Sequence, residues 1–167
     1  VAIARTYVPY GSPHPAIAAP SDLFVPARRN SAGLDLNDEN TLAALEGGLD
    51  ASPAEWTATS ILAGPVPEGT ALNVLNPADR RERGGRWTLV DATIIPAVAQ
   101  SAVKGAEVWA QQSPVARADV LERAADLLEA RRDGLLGLIV REAGKSLGNA
   151  VAEIREAVDF LRYYAVQ

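Results

Sequence analysis

Residues 149–165 read NAVAEIREAVDFLRYYA, and the spacing of their apolar side chains decides how the second half of the chain folds. Val151, Ile154, Val158, Leu161 and Ala165 recur at intervals of three and four, which places them on one stripe of an α-helix. A second stripe holds Glu153, Glu156, Phe160 and Tyr164, charged at one end and aromatic at the other. Two usable faces predict a helix that packs on one side and lines something on the other. No Gly or Pro stop signal follows, so the helix is expected to be cut at Gln167 or to continue beyond it.

Working back from this helix, Gly144 is the expected end of a preceding one that covers Leu135 to Arg141 after Gly134. Ser113-Pro114 is a start signal, with serine at the N-cap and proline in the first turn. Ala118, Leu121, Ala125 and Leu128 then form an apolar face opposite Asp119, Arg123 and Asp126. Ala92 to Gln111, rich in Ala and Val, is a further helix whose Trp109 is placed to close against a neighbour. Ahead of it, Leu72 to Leu75 and Arg86 to Val90 read as two short strands around the turn Asn76-Pro77-Ala78-Asp79.

The first half is less regular. Pro53 to Gly69, with Gly64, Pro65 and Pro67, reads as a connector. Asp38 or Asn37 caps a helix through Thr41 to Leu45, which Gly47-Gly48 weakens at its end. Ser12 to Arg29 holds Pro13, Pro15, Pro20 and Pro26 and reads as an extended connector, and Val1 to Gly11 as one strand ending in a turn. Composition and periodicity alone describe a soluble, helix-rich, mixed α/β protein.

Several function classes are excluded at this level. A net charge of −5 disfavours nucleic acid or an anionic membrane as the main partner, because both need clustered Lys and Arg. No apolar run has the length of a membrane span, and no secretory signal pattern opens the chain. There is no cysteine, hence no disulfide, no Cys-based zinc site and no thiol nucleophile. The single histidine, His14, lies between two prolines and lacks the partners that a catalytic relay needs. Gly144-Lys145-Ser146 ends like a phosphate-binding loop, but the first glycine of that motif would fall on Ile139 and the preceding residues are helical, so a helix-breaking turn is expected. Glu153 and Glu156 share a helical face. On spacing alone they form a solvated face paired with Arg155 and Arg162, the alternative being joint action on a cationic group.

Four stretches carry a resemblance: RRNSAGLDL (residues 28–36), NPAD (76–79), REAGK (141–145) and AEIREAVDFLRYYA (152–165). In this order they resemble the proline utilization A family of bifunctional flavoproteins, which join proline dehydrogenase to L-glutamate γ-semialdehyde (1-pyrroline-5-carboxylate) dehydrogenase. RTYVPYG (5–11) is similar to a strand near the end of that family's proline dehydrogenase barrel, where the tyrosine matching Tyr7 packs against the substrate proline. The family continues there with a helix bearing a carboxylate-binding Arg-Arg pair; here Ser12 runs straight into the Pro-rich connector.

The resemblance implies an α/β fold. Residues 72–167 would be the helix-rich start of an aldehyde-dehydrogenase NAD-binding domain, 12–71 a Pro-rich connector and linker helix, and 1–11 a single strand resembling part of a (β/α)8 barrel. It implies FAD and NAD as cofactors of the complete enzyme, neither bound by this chain alone. It also implies the remainder of the same polypeptide as partner, proline and glutamate semialdehyde as substrates, a homo-oligomer, and a cytoplasmic, membrane-peripheral setting. The family's NAD-binding glycines, general-base glutamate and nucleophilic cysteine all follow the helix that ends at Gln167. Because a thiolate must attack the aldehyde before hydride passes to NAD, this chain alone is expected to be inactive, with no catalytic residue of its own. Glu156 matches an acidic position that meets the substrate's α-amino group, a role suited to charge-assisted hydrogen bonding. The alternative from another class is a non-catalytic module whose two-faced last helix docks a partner.

Overall fold

The computed structural model describes residues 16–167. The strand expected at Val1 to Gly11, and with it Tyr7, and also His14, lie outside the described residues.

Five helices and three strands follow in the order α1 (Glu39–Asp50), β1 (Trp56–Ala58), β2 (Thr70–Leu75), β3 (Arg83–Leu89), α2 (Ile95–Ala110), α3 (Pro114–Ala130), α4 (Arg132–Ala143) and α5 (Leu147–Ala165). Helix α1 begins where Asp38 accepts hydrogen bonds from the backbone N–H groups of Asn40 and Thr41 and from the Thr41 hydroxyl, so Asp38 is the cap. The Gly47-Gly48 pair does not end it. Both glycines stay helical and α1 runs three turns to Asp50, and a Cβ on Gly48 would lie 2.4 Å from the Asp133 carboxylate. A bare α-carbon is what lets α4 come this close. The connector expected at Ser12 to Arg29 also contains a short 3-10 turn, Pro20–Asp22, with proline in its first turn.

The sheet has the order β1-β3-β2. Strands β2 and β3 form the expected hairpin, antiparallel with Leu72 opposite Trp87. The turn between them is closed by its own side chains: Asn76 Oδ1 accepts from Ala78 N–H at 2.9 Å, and Asn76 Nδ2 donates to Glu82 at 2.6 Å. Strand β1, inside the segment expected to be a connector, pairs parallel with β3. Gly85 makes this possible, since a Cβ there would lie 2.5 Å from the Trp56 carbonyl oxygen.

The core is helical. Ser113 accepts from Ala116 N–H and starts α3 at Pro114, as its sequence predicts. Helix α4 ends at Gly144, whose φ of 66° is the left-handed conformation that favours glycine. Two residues later Ser146 caps α5 by accepting from Asn149 N–H. Helix α5 packs most extensively on α3 and next on α4, while α1 covers α4. Ala125, Leu136, Ala150 and Val158 are fully buried, with Leu45 and Ile154 nearly so. Alanine at two of these contacts brings the helix axes close. Val151, Leu161 and Ala165 are half-buried beside them, so the apolar stripe of α5 faces the core. Helix α2, preceded by the 3-10 turn Ala92–Ile94, has no buried residue. Trp109 does not close against a neighbour; it is half-exposed at the rim of a depression shared with Leu121 and Tyr164.

Candidate functional site

The outward face of α5 presents the predicted second stripe. Phe160 and Tyr164 stack with centroids 6.1 Å apart, and Tyr163 meets Tyr164 edge-on at 5.2 Å. All three rings are substantially exposed. The acidic end of the stripe divides into two unlike groups. Glu153 pairs with Lys145, whereas Glu156 makes no ion pair among the described residues.

The pairing of these glutamates with Arg155 and Arg162, expected from their proximity in sequence, does not occur. Both arginines turn away toward the segment that leads into α1. Arg162, only 8% exposed, holds Glu129 at 2.7 Å, Asp126 at 2.9 Å and Glu122 at 3.8 Å, all on α3. Burial pulls the Arg162 guanidinium down, but hydrogen bonds and charges from Glu129 and Asp126 outweigh it and leave the group raised. Arg162 also donates to the Asn30 carbonyl oxygen at 3.3 Å, and Arg155 to the Ser31 hydroxyl at 3.4 Å.

These contacts give residues 28–36 a physical role. The segment is a strap whose consecutive polar groups are met by charged side chains of α3 and α5. Ser31, 1% exposed, donates its backbone N–H to Asp159 at 2.6 Å and its hydroxyl to the other oxygen of the same carboxylate at 3.1 Å. Ala32 N–H donates to Glu129 at 2.7 Å. The strap thereby brings the residues just ahead of it against the open face of α5. The Arg28 guanidinium lies 4.0 Å from the Phe24 ring centroid and 5.6 Å from that of Tyr163, and donates to Asn30 Oδ1 at 2.9 Å.

Between these elements lies a cavity of about 310 Å³ bordered by Phe24, Arg28, Glu156, Asp159, Phe160 and Tyr163. Of the residues singled out as substrate-binding, it contains Glu156; Tyr7 is outside the described residues. Sequence reasoning missed Arg28, Phe24, Tyr163 and Asp159. Arg28 lies in RRNSAGLDL and Asp159 and Tyr163 in AEIREAVDFLRYYA, stretches whose specificity was visible but whose contacts were not; Phe24 lies in neither.

The Gly144-Lys145-Ser146 turn joins two helices, its lysine is engaged by Glu153, and its serine caps α5. Among the described residues, no cluster of His, Cys, Asp and Glu could hold a metal ion. No described helix is long and apolar enough to cross a membrane.

Comparison with known proteins shows the family and the fold. The aldehyde dehydrogenase family model matches residues 66–167. The bifunctional protein PutA of Klebsiella aerogenes is 44% identical over 158 residues, 94% of this chain and 12% of that protein. PutA of Rhizobium meliloti is 45% identical over 168 residues, covering 100% of this chain and 14% of that one. The chain therefore spans about an eighth of the length of these relatives. A solved 1-pyrroline-5-carboxylate dehydrogenase from Thermus with bound NAD superimposes with a TM-score of 0.68 at 25% identity, over 82% of this chain and 27% of that one. The fold is an aldehyde-dehydrogenase-like α/β arrangement, helix-rich with a small sheet.

Proposed function

Because the chain belongs to the aldehyde dehydrogenase family, we propose that it is part of a bifunctional enzyme of proline catabolism. The complete polypeptide oxidises proline with FAD to 1-pyrroline-5-carboxylate, then oxidises the open form, glutamate semialdehyde, to glutamate with NAD. Residues 72–167 begin the NAD-binding domain, residues 12–71 are connector and linker helix, and residues 1–11 are a strand of the proline dehydrogenase barrel. In that barrel Tyr7 packs against proline. The enzyme is a cytoplasmic, membrane-peripheral homo-oligomer.

One observation carries this reading. Similarity to the bifunctional proteins covers 94–100% of the chain, well beyond the stretch matched by the dehydrogenase family alone.

Glu156 is the substrate contact within this chain. Its carboxylate lies on the open face of α5, is unpaired among the described residues, and borders a cavity with aromatic walls. An α-ammonium group entering there gains a charge-assisted hydrogen bond and lies beside the faces of Phe160 and Tyr163. The reacting thiol belongs to another part of the polypeptide, since this chain has no cysteine. By itself the chain is inactive in both oxidations.

The test uses the complete polypeptide. Glu156→Gln keeps the side chain's shape and removes its charge, and it raises KM for glutamate semialdehyde about tenfold, the size of one charge-assisted hydrogen bond. Oxidation of propanal, which has no ammonium group, is unchanged. Equal effects on both aldehydes would assign Glu156 a structural role. NADH formation from glutamate semialdehyde by the isolated 167-residue chain would overturn its inactivity.

A further inference from the structure

We propose that residues 20–30 form a lid over the cavity beside α5, closing as one body and latched by Asp159, so that occupancy of the cavity and docking of the strap are coupled. This rests on the reading of Glu156 above, and adds the movement that opens and closes the cavity it faces.

Residues 20–30 are closed on themselves. Asn30 N–H donates to the Ser21 carbonyl oxygen at 2.9 Å, and Asn30 Nδ2 donates to that of Pro20 at 3.1 Å, which joins the two ends of the loop. Within it, Ala27 N–H donates to the Phe24 carbonyl oxygen at 2.8 Å, and Arg29 pairs with Asp22 at 3.4 Å. Among the described residues, every hydrogen bond of residues 20–29 stays between residues 19 and 30. A compact loop with joined ends can swing without breaking its own bonds.

None of residues 20–29 is buried, so the core does little to hold the loop down. Its inner face meets α5 where Phe24 and Arg28 border the cavity, the Arg28 guanidinium 5.6 Å from the Tyr163 ring centroid. Its firm attachment comes at one end. The Asn30 carbonyl oxygen accepts from Arg162, and the adjoining Ser31, 1% exposed, gives both of its donors to Asp159. Local opening draws on segments with few buried apolar contacts, and this loop is such a segment.

Asp159 belongs to both sides of the arrangement. Its carboxylate holds the strap, and it borders the cavity together with Glu156 and Phe160. The opposite wall, made of Phe24, Arg28 and Asn30, is in place only while the latch holds. A ligand that needs both walls binds the closed form alone, and by linkage it stabilises closure as much as closure favours the ligand.

The experiment is limited digestion of the complete polypeptide with trypsin, the cuts after Arg28 and Arg29 being followed by mass spectrometry. Cleavage there needs the loop open, so its rate tracks the open population. L-glutamate, at ten times its inhibition constant for semialdehyde oxidation, is expected to slow both cuts about tenfold. Asp159→Asn, which leaves Ser31 one acceptor of two, is expected to speed them about fivefold without ligand. Cleavage after Arg123, in the middle of α3, keeps its wild-type rate. Ser31→Ala removes only the hydroxyl from the latch, and it becomes the variant read should Asp159→Asn speed the Arg123 cut as well.

Equal acceleration at Arg123 in both variants would mean general unfolding and would overturn the latch. If L-glutamate leaves the cuts after Arg28 and Arg29 unchanged while still inhibiting oxidation in a Glu156-dependent manner, the lid fails and the Glu156 reading stands. Slowing of the cuts that is undiminished in Glu156→Gln supports the lid and removes Glu156 from the contact. If L-glutamate up to its solubility limit neither inhibits oxidation nor slows the cuts, both fail.

Discussion

Replacing Asp159 by alanine tests whether the strap is held by side-chain acceptors. Its carboxylate receives both the backbone N–H and the hydroxyl of Ser31, at 2.6 and 3.1 Å. Ser31 is 1% exposed, so water cannot take over the vacated positions without opening the strap. A hydrogen bond to a charged acceptor contributes about 1.5–3 kcal/mol, and a buried donor left unsatisfied costs about 1–3 kcal/mol. These overlap rather than add, so Asp159→Ala is expected to destabilise the fold by about 2–3 kcal/mol. For a chain of this size that lowers Tm by about 4–12 °C. Asp159→Asn retains one acceptor oxygen for the Ser31 N–H and should cost about 1 kcal/mol. Urea denaturation supplies the free energies, and amide hydrogen exchange at Ser31 reports on the strap itself. An alanine variant within about 0.5 kcal/mol of wild type, with Ser31 as protected as before, would refute the reasoning.

Gly144→Ala places a side chain in a left-handed conformation, at a cost of about 1–2 kcal/mol, and sets its Cβ 2.8 Å from Pro77 Cγ. The same denaturation should show at least that loss, and an unchanged midpoint would contradict the turn. On acidification, Asp38 and Glu82 are the groups to watch. Hydrogen bonds from Thr41 hold Asp38 below its ordinary range, and those from Asn76 and Arg141 do the same for Glu82. A folded-state pKa below the unfolded one means that the contribution to stability is present above the unfolded value and is lost as pH falls through the folded one. Stability should therefore decline below about pH 4.5, the ordinary glutamate value. Glu82→Gln should make that decline shallower, and an identical pH profile would show that Glu82 has no part in it.

The helical half of the fold was legible because its signals are local. Ser113-Pro114 and Gly144 mark ends through the backbone of a single turn, and the stripe from Val151 to Ala165 repeats within one element. What was missed depends on partners distant in sequence. Strand β1 is three residues long among prolines and glycines and exists because β3 offers a parallel edge against Gly85. Gly48 resembles a helix stop until Asp133 is seen beside it. Arg162, judged by sequence proximity, belonged with Glu153 and Glu156, but burial against α3 gives it three other carboxylates. The candidate site divides the same way: Glu156 follows from helical spacing and resemblance, while Arg28 joins it only through the strap.

The separation of 128 residues between Ser31 and Asp159 has a kinetic consequence. Closing so long a loop costs entropy before any contact repays it, whereas α3, α4 and α5 are consecutive and can assemble through near neighbours. The strap is therefore expected to dock onto a helical unit already formed. Perturbations that loosen it should leave the folding rate nearly untouched and appear as faster unfolding. On this reasoning the aromatic cavity is expected to form late in folding and to open early in unfolding.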